Sequence, residues 1–298
     1  MMSEITSLRR RYHTRIRAAV LGAVTKTVKR RRQTFYSNAD GNSAASVRFA
    51  AGMAAAMDGP FCKNPPDRQT AGTEFTNVTR DFVEAAFGAL ANVRPGPWVF
   101  STSQAAAGIA AYDQYSHLLD LQQLLANHPE LRTALGGDYI ITPDITVSRR
   151  ALSTDELNVG RGRKPVVAEG EAIPQYTPLR YRADELTKAS LHASISCKWT
   201  IRSDRVQNTR TEALNLLRNR KGRTPIIAAV TAEPLPSRLQ SIAIGTGDLD
   251  CVYHAALPEL LEGNRGNEAL ADQFEILETL IAGRRLRDIS DLPFDLAI

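Results

Sequence analysis

Leu191 to Arg202 reads LHASISCKWTIR, and its alternation decides the fold class. Leu191, Ala193, Ile195, Cys197, Trp199 and Ile201 share one parity, and His192, Ser194, Ser196, Lys198, Thr200 and Arg202 the other. Successive side chains of an extended chain point to opposite faces, so this is a strand with one apolar and one polar face. Ser203-Asp204 then offers a helix start. Val206 to Arg220 follows at helical spacing, with Ala213, Leu214 and Leu217 apolar and Gly222 as the stop. Ile226 to Thr231 (IIAAVT) is a buried strand. Strand, helix, strand predicts an α/β sheet, with these two strands parallel if they are neighbours.

Upstream, Thr79 to Ala91 repeats Phe82, Val83, Ala86, Phe87 and Leu90 at helical spacing before Pro95-Gly96-Pro97. Ala105 to Ala126 reads as a second long helix closing at Asn127-His128-Pro129, followed by a short helical turn to Leu135 and the Gly136-Gly137 break. Asp138 to Val147 (DYIITPDITV) is rich in β-formers and reads as a strand. Residues 155–182 are punctuated by Gly and Pro and read as loop-rich, and Gly160-Arg161-Gly162 lacks the full glycine pattern of a phosphate loop.

At 298 residues, 43% hydrophobic and 23% charged, the composition excludes collagenous, disordered and membrane-spanning classes. Charge is unevenly placed. Of 37 Lys+Arg and 32 Asp+Glu, ten basic residues and only Glu4 fall in residues 1–36, leaving 27 against 31 for the rest. Such an arm is either attracted to a polyanion, most often nucleic acid, or is a solvated helix face. The apolar run Ala18 to Val24 is short for a signal core and is interrupted by Lys26, so the protein is expected in the cytoplasm with no membrane partner. Cys62, Cys197 and Cys251 are odd in number and form no CxxC, so reduced thiols are expected, and the five histidines form no metal-like motif.

Pro143-Asp144 falls inside the first predicted strand and Ser196-Cys197-Lys198 inside the second. An Asp on one strand and a Lys on its neighbour is how a metal-dependent phosphodiesterase sets a carboxylate ligand beside an ammonium that orients water and stabilises charge. The usual nuclease pattern is PD followed by (D/E)xK, and here Ser196 stands in the acid's place. A neutral hydroxyl is no anionic ligand, so a second carboxylate must come from elsewhere. Glu212, 14 residues past Lys198 on the following helix, is the candidate. The competing explanation is ordinary strand polarity with a surface lysine.

The run Leu191 to Arg205, continued by Gln207-Asn208, Glu212, Leu214-Asn215-Leu216 and Arg218 to Arg223, resembles the NgoMIV family of type II restriction endonucleases. So do Val230 to Pro234 (VTAEP), Pro236-Ser237-Arg238, Gly245-Thr246-Gly247, Asp250 to His254, Asp288 to Pro293, Ser37 to Gly41, Gln69-Thr70, Tyr115 to Leu118 and Tyr139 to Ile145. The resemblance covers roughly residues 36 to 298. It implies a restriction-endonuclease-like α/β core, a central mixed β-sheet flanked by helices. Residues 37–298 would be a single domain behind a basic extension, 1–36. It implies that Asp144 and Glu212 bind Mg²⁺ with the backbone carbonyl of Cys197, two ions per active site, that Lys198 sits beside the attacking water, and that Ser196 fills the vacated acid position. Cleavage would leave 5′-phosphates.

Arg202, Asp204 and Arg205 open the helix that carries Glu212. Arg favours guanine O6 and N7, and Asp accepts from cytosine N4, so the group suits adjacent C and G read in the major groove. Without the resemblance, a helix cap with surface ion pairs is the alternative. The resemblance implies a CCGG core, hence GCCGGC, with Gln69 contacting DNA from the minor groove and Asn42 near the outer bases. Asn42 departs from the family's Ser. Thr76 stands where an additional acid is expected, with Glu74 two residues earlier, which on a helix turns the side chain about 200° away; either a local register shift brings Glu74 in, or the site works with fewer carboxylates and weaker metal affinity. Double-stranded DNA is the expected partner. Two-fold sites imply a dimer at least, and the resemblance implies a homotetramer and a cognate DNA methyltransferase. The alternatives are a DNA-binding protein of this fold with lost or weak cleavage, or a repair-type nuclease.

Overall fold

The computed structural model describes residues 2–298 other than 29, 58, 104, 106, 136–138, 183–186, 202 and 246, and leaves the side chains of 28, 31, 135 and 203–206 undescribed. The chain opens with α1 (Glu4–Ala19), capped by the Ser3 side chain, which accepts the Thr6 N–H. A hairpin of β1 (Ala23–Val28) and β2 (Arg31–Tyr36) leads to α2 (Ala44–Met57) and α3 (Arg68–Gly88). Then come β3 (Trp98–Ser101), α4 (Leu118–Asn127), α5 (Pro129–Leu135), β4 (Ile145–Arg149) and α6 (Thr154–Asn158). β5 (Ser190–Lys198), α7 (Ser203–Asn219) and β6 (Ile226–Thr231) form the predicted strand-helix-strand. The chain ends with α8 (Pro236–Ala243), β7 (Cys251–His254), α9 (Leu257–Glu262), α10 (Ala271–Ala282), β8 (Leu286–Asp288) and α11 (Leu292–Ala297). The hairpin is its own two-stranded sheet.

β3 to β8 make one mixed sheet whose spatial order follows the sequence order. β3 and β4 are antiparallel, whereas β6, β7 and β8 run parallel. With helices flanking it, this is the expected α/β architecture, and β5 and β6 are neighbours. The polar parity of β5 is nevertheless covered too: His192, Ser194 and Ser196 are buried beside Leu191, Ala193 and Ile195. A strand in mid-sheet with both faces packed cannot present a wet face. Among the described residues no helix is long and apolar enough to cross a membrane, and all three cysteines are free thiols.

Two sequence expectations are corrected. Asp144 is not inside a strand: β4 starts at Ile145, and residues 139–144 precede it, in keeping with the missing N–H of Pro143, which cannot donate to a ladder. The long helix expected over Ala105 to Ala126 is instead two short 3₁₀ turns, Gly108–Ala111 and Asp113–Tyr115, followed by α4. Gly108 breaks it, with a positive φ of 47° and a site where a Cβ would lie 2.3 Å from the Ile141 carbonyl oxygen. Residues 155–182 are loop-rich as read, apart from α6.

The chain divides into two compact units, one of Met1–Arg94, Ile195–Ala213 and Ile227–Ile298, the other of Pro95–Ser194 and Leu214–Ile226. In the first, α1 packs along α3 through buried Tyr12 and Ile16. The Tyr12 ring lies 5.0 Å from that of Phe82, and its hydroxyl is 3.1 Å from Thr79 Oγ1. Full burial of side chains this size contributes about 1.5–3 kcal/mol each. α2 meets α9 where a Cβ on Gly52 would sit 2.3 Å from the Gly263 carbonyl oxygen, so the two backbones touch. In the second unit, Gln114 holds Leu191 at the start of β5 from both sides: its Nε2 donates to the Leu191 carbonyl (2.7 Å), and its Oε1 accepts the Leu191 N–H (2.9 Å). Trp98 is flanked there by His192, with ring centroids 4.8 Å apart, and by the Arg149 guanidinium, 5.4 Å from the ring centre.

Candidate active site

β5 delivers Ser196, Cys197 and Lys198 in succession at its C-terminal end, Ser196 and Cys197 buried and Lys198 half-buried. Asp144 belongs to the other compact unit, where it lies immediately before β4. Glu212 is half-buried on α7, one residue before buried Ala213. Among the described residues no three His, Cys, Asp or Glu side chains gather as a metal cluster.

The chain leaves β5 through a well-anchored turn. Trp199 is buried against Phe75 of α3, ring centroids 5.3 Å apart. The Ile201 N–H donates to Glu233 Oε2 at 2.8 Å. Residue 75 thus faces β5's end from a segment that is helical throughout, with Glu74 and Thr76 half-buried on either side of it, and Thr76 Oγ1 donates to the Gly72 carbonyl at 3.0 Å. Arg202 and the side chains of Asp204 and Arg205 lie outside the described residues. Gln69 is exposed in the first turn of α3, where Asp67 Oδ1 accepts its N–H at 2.8 Å. Asn42 is exposed in the loop before α2, its N–H bound by Asp40 Oδ1 at 3.0 Å. Both segments border one cleft of about 270 Å³, which Asn42, Asp67, Arg68 and Trp199 line. The buried Trp199 Nε1–H has no acceptor among the described residues. An orphaned donor of this kind costs about 1–3 kcal/mol, so an acceptor from solvent or ligand is expected there.

Sequence reasoning missed the residues that tie these parts together. Fully buried Glu233 accepts from Ile201 on one oxygen and from the Leu235 N–H (3.2 Å) on the other. Arg238 approaches Glu233 at 3.7 Å and pairs with Asp40. A charged relay therefore runs from the turn after Lys198 to the loop of Asn42. The signal was a lone acid in the apolar run Ile226 to Pro236 (IIAAVTAEPLP); buried acids are rare unless partnered.

Next to it, His254 is held neutral, its Nε2 3.1 Å from the Glu233 carbonyl and its Nδ1 accepting the Ala256 N–H at 3.1 Å. Burial pushes the Glu233 carboxyl up to about 7, against the pull of its N–H donors and Arg238, and drives His254 down to about 4. The signs oppose. Glu233 contributes stability that is full below about 4.5 and lost as pH rises towards 7; His254 contributes stability that is full above 6.5 and lost as pH falls towards 4. Each amounts to something on the order of 3 kcal/mol, so the pair leaves stability nearly flat between. Glu233→Gln is expected to lose denaturant midpoint relative to the unaltered protein as pH falls from 7 to 5, and His254→Gln to gain it. Two parallel profiles would refute the assignment.

A mixed six-stranded sheet flanked by helices is the architecture of the restriction-endonuclease-like class of nucleases. The NgoMIV restriction enzyme family pattern matches residues 12–298. The type II restriction enzyme NgoMIV of Neisseria gonorrhoeae is 46% identical over 264 residues, 88% of this chain and 90% of the relative. The chain belongs to the NgoMIV restriction enzyme family and is a site-specific restriction endonuclease of type II.

Proposed function

We propose that the protein makes Mg²⁺-dependent double-strand cuts in DNA at a GC-rich palindrome with a CCGG core, GCCGGC, leaving 5′-phosphate ends. One observation carries it above the others: the chain is 46% identical to a named type II restriction enzyme over 88% of its length, and Asp144, Ser196, Lys198 and Glu212 fall within the span that the family pattern matches. The donors are all oxygen, the Asp144 and Glu212 carboxylates and the Cys197 carbonyl, which suits a hard cation such as Mg²⁺, two per site. When bound, the metal acidifies water and neutralises charge on the phosphate. Lys198 orients the attacking water through its ammonium and adds positive charge beside the phosphate. Ser196 fills the usual acid position without adding charge. The water oxygen attacks phosphorus in line and gives up a proton to solvent, the bond to the 3′ oxygen breaks with that oxygen taking up a proton, and the phosphate remains on the 5′ carbon of the downstream fragment. No protein nucleophile is needed.

Arg202, Asp204 and Arg205 are assigned the CCGG core, Gln69 and Asn42 the contacts around it. Residues 37–298 act as one functional domain with 1–36 as its basic extension. A palindrome calls for a two-fold dimer, a tetramer made of two such dimers would hold two sites, and a cognate methyltransferase would protect the host's own. Digesting DNA of known sequence with Mg²⁺ and sequencing the fragment ends tests the reading: recurrent ends within GCCGGC are expected. Ends scattered over many sequences would point to a repair-type nuclease. Specific binding without cutting in Mg²⁺ or Mn²⁺ would favour a binding protein, the reading that Ser196 and Thr76 in place of acids suggest.

A further inference from the structure

We propose that the β1–β2 hairpin is an arm that holds duplex DNA outside the recognised sequence by its phosphates, through Lys26, Arg30 and Arg32. The inference rests on the restriction-enzyme reading and adds a contact surface to it. The hairpin's base is fixed: Phe35 is buried with Ala39 and Ala50, and Val24, Tyr36 and Val47 pack on them. Beyond the base, the register pairs Thr25 with Thr34, Lys26 with Gln33 and Thr27 with Arg32, all of them exposed. None of these three pairs carries an apolar side chain, so this part of the ribbon gains little by burial.

Residues 23–36 hold five basic side chains and no acid. Among the described residues no acid pairs with Lys26, Arg30 or Arg32, whereas Arg9 and Arg15 on α1 are both committed to carboxylates. Arg30 keeps its cation at a φ of 66°, where glycine or asparagine would sit at less strain. Lys26 and Thr27 line the same cleft as Asn42, Arg68 and Trp199, so the arm continues the surface assigned to the DNA. Six residues of strand span roughly 20 Å, comparable with about six base pairs.

The test uses the full-length protein and a Lys26→Gln, Arg30→Gln, Arg32→Gln triple variant. Affinity is measured without metal, across a salt series, for a short and a long duplex centred on the sequence found at the cut ends. The unaltered protein is expected to prefer the long duplex. The variant should lose that preference, its log-log salt slope should shrink by up to about 2.7, and its melting temperature and cut position should stay the same. An unchanged slope and length preference in the variant overturns the arm, as does an unaltered protein that cuts at its site yet ignores duplex length. A protein that neither cuts nor prefers any duplex sequence overturns the restriction-enzyme reading instead.

Discussion

Lys198→Ala is expected to lower cleavage by at least about 10²–10³-fold while leaving specific binding within a few-fold. The size follows from removing a fixed positive charge beside a transition state in which charge spreads over the phosphate oxygens. Binding should survive because the residues assigned to base and backbone contact lie elsewhere, on the α7 start, the Asn42 loop and the head of α3. Folding should survive as well: Lys198 is half-buried at the end of β5, so truncation digs no cavity into the sheet. Single-turnover cleavage and gel-shift affinity, measured on the same preparation, separate the two effects. Cutting that persists within tenfold, or binding that falls in parallel with cutting, would remove Lys198 from the chemistry.

Arg9→Ala is expected to be the most damaging single change to stability, about 3–5 kcal/mol, or roughly 5–8 °C in Tm for a chain this long. The Arg9 guanidinium donates to both oxygens of Glu259 (2.7 and 2.6 Å) and both of Asp288 (2.8 and 2.8 Å), linking α1 to α9 and β8. Asp288 also accepts the Leu257 N–H at 3.2 Å and the Ser290 hydroxyl at 2.6 Å. Burial opposes ionisation of both carboxyls, and Arg9 outweighs it, so both stay below their ordinary values. Their contribution is therefore full above about pH 4.5 and lost as pH falls below it. Without Arg9 the two carboxylates repel in a confined space and take up protons more readily. The stability gap between the two proteins should be widest near pH 8 and narrow towards pH 5. Arg9→Lys should recover only part of it, since an ammonium cannot grip two carboxylates at four points. A gap that is small, or constant with pH, would show the network to be ornamental.

The core unit β5-α7-β6 was legible in residues 191–231 because period 2 switches there to a helical period and back to an apolar run. Lys198 and Glu212 fall on the predicted elements for that reason. Asp144 was misplaced as an element: β-formers ran from 138 to 147, and the ladder waits until after Pro143. The helix expected over 105–126 had the right apolar spacing, and the approach of Gly108 to Ile141, 33 residues on, overrode it. Burial of both faces of β5 was invisible because alternation reports polarity and says nothing of what a neighbouring layer covers. Glu233 was signalled only as a lone acid in an apolar run, and Arg238 and Arg9 had no local signal for their roles. Their partners stand up to 279 residues away, and only folding makes them neighbours.

The contact of α2 with α9 bears on re-engineering of specificity. α2 begins at Ala44, two residues after Asn42, and at Gly52 its backbone touches Gly263. Sliding the helix by one position would turn Gly52 about 100° off the contact and put a side chain where only a hydrogen fits. Loop grafts from relatives that keep Asp40, which pairs with Arg238, can vary in composition at Gly41 and Asn42, but any added length must be taken up before Ala44. A shuffled library that respects that boundary varies the loop on an intact helix; one that ignores it samples mostly misfolded protein.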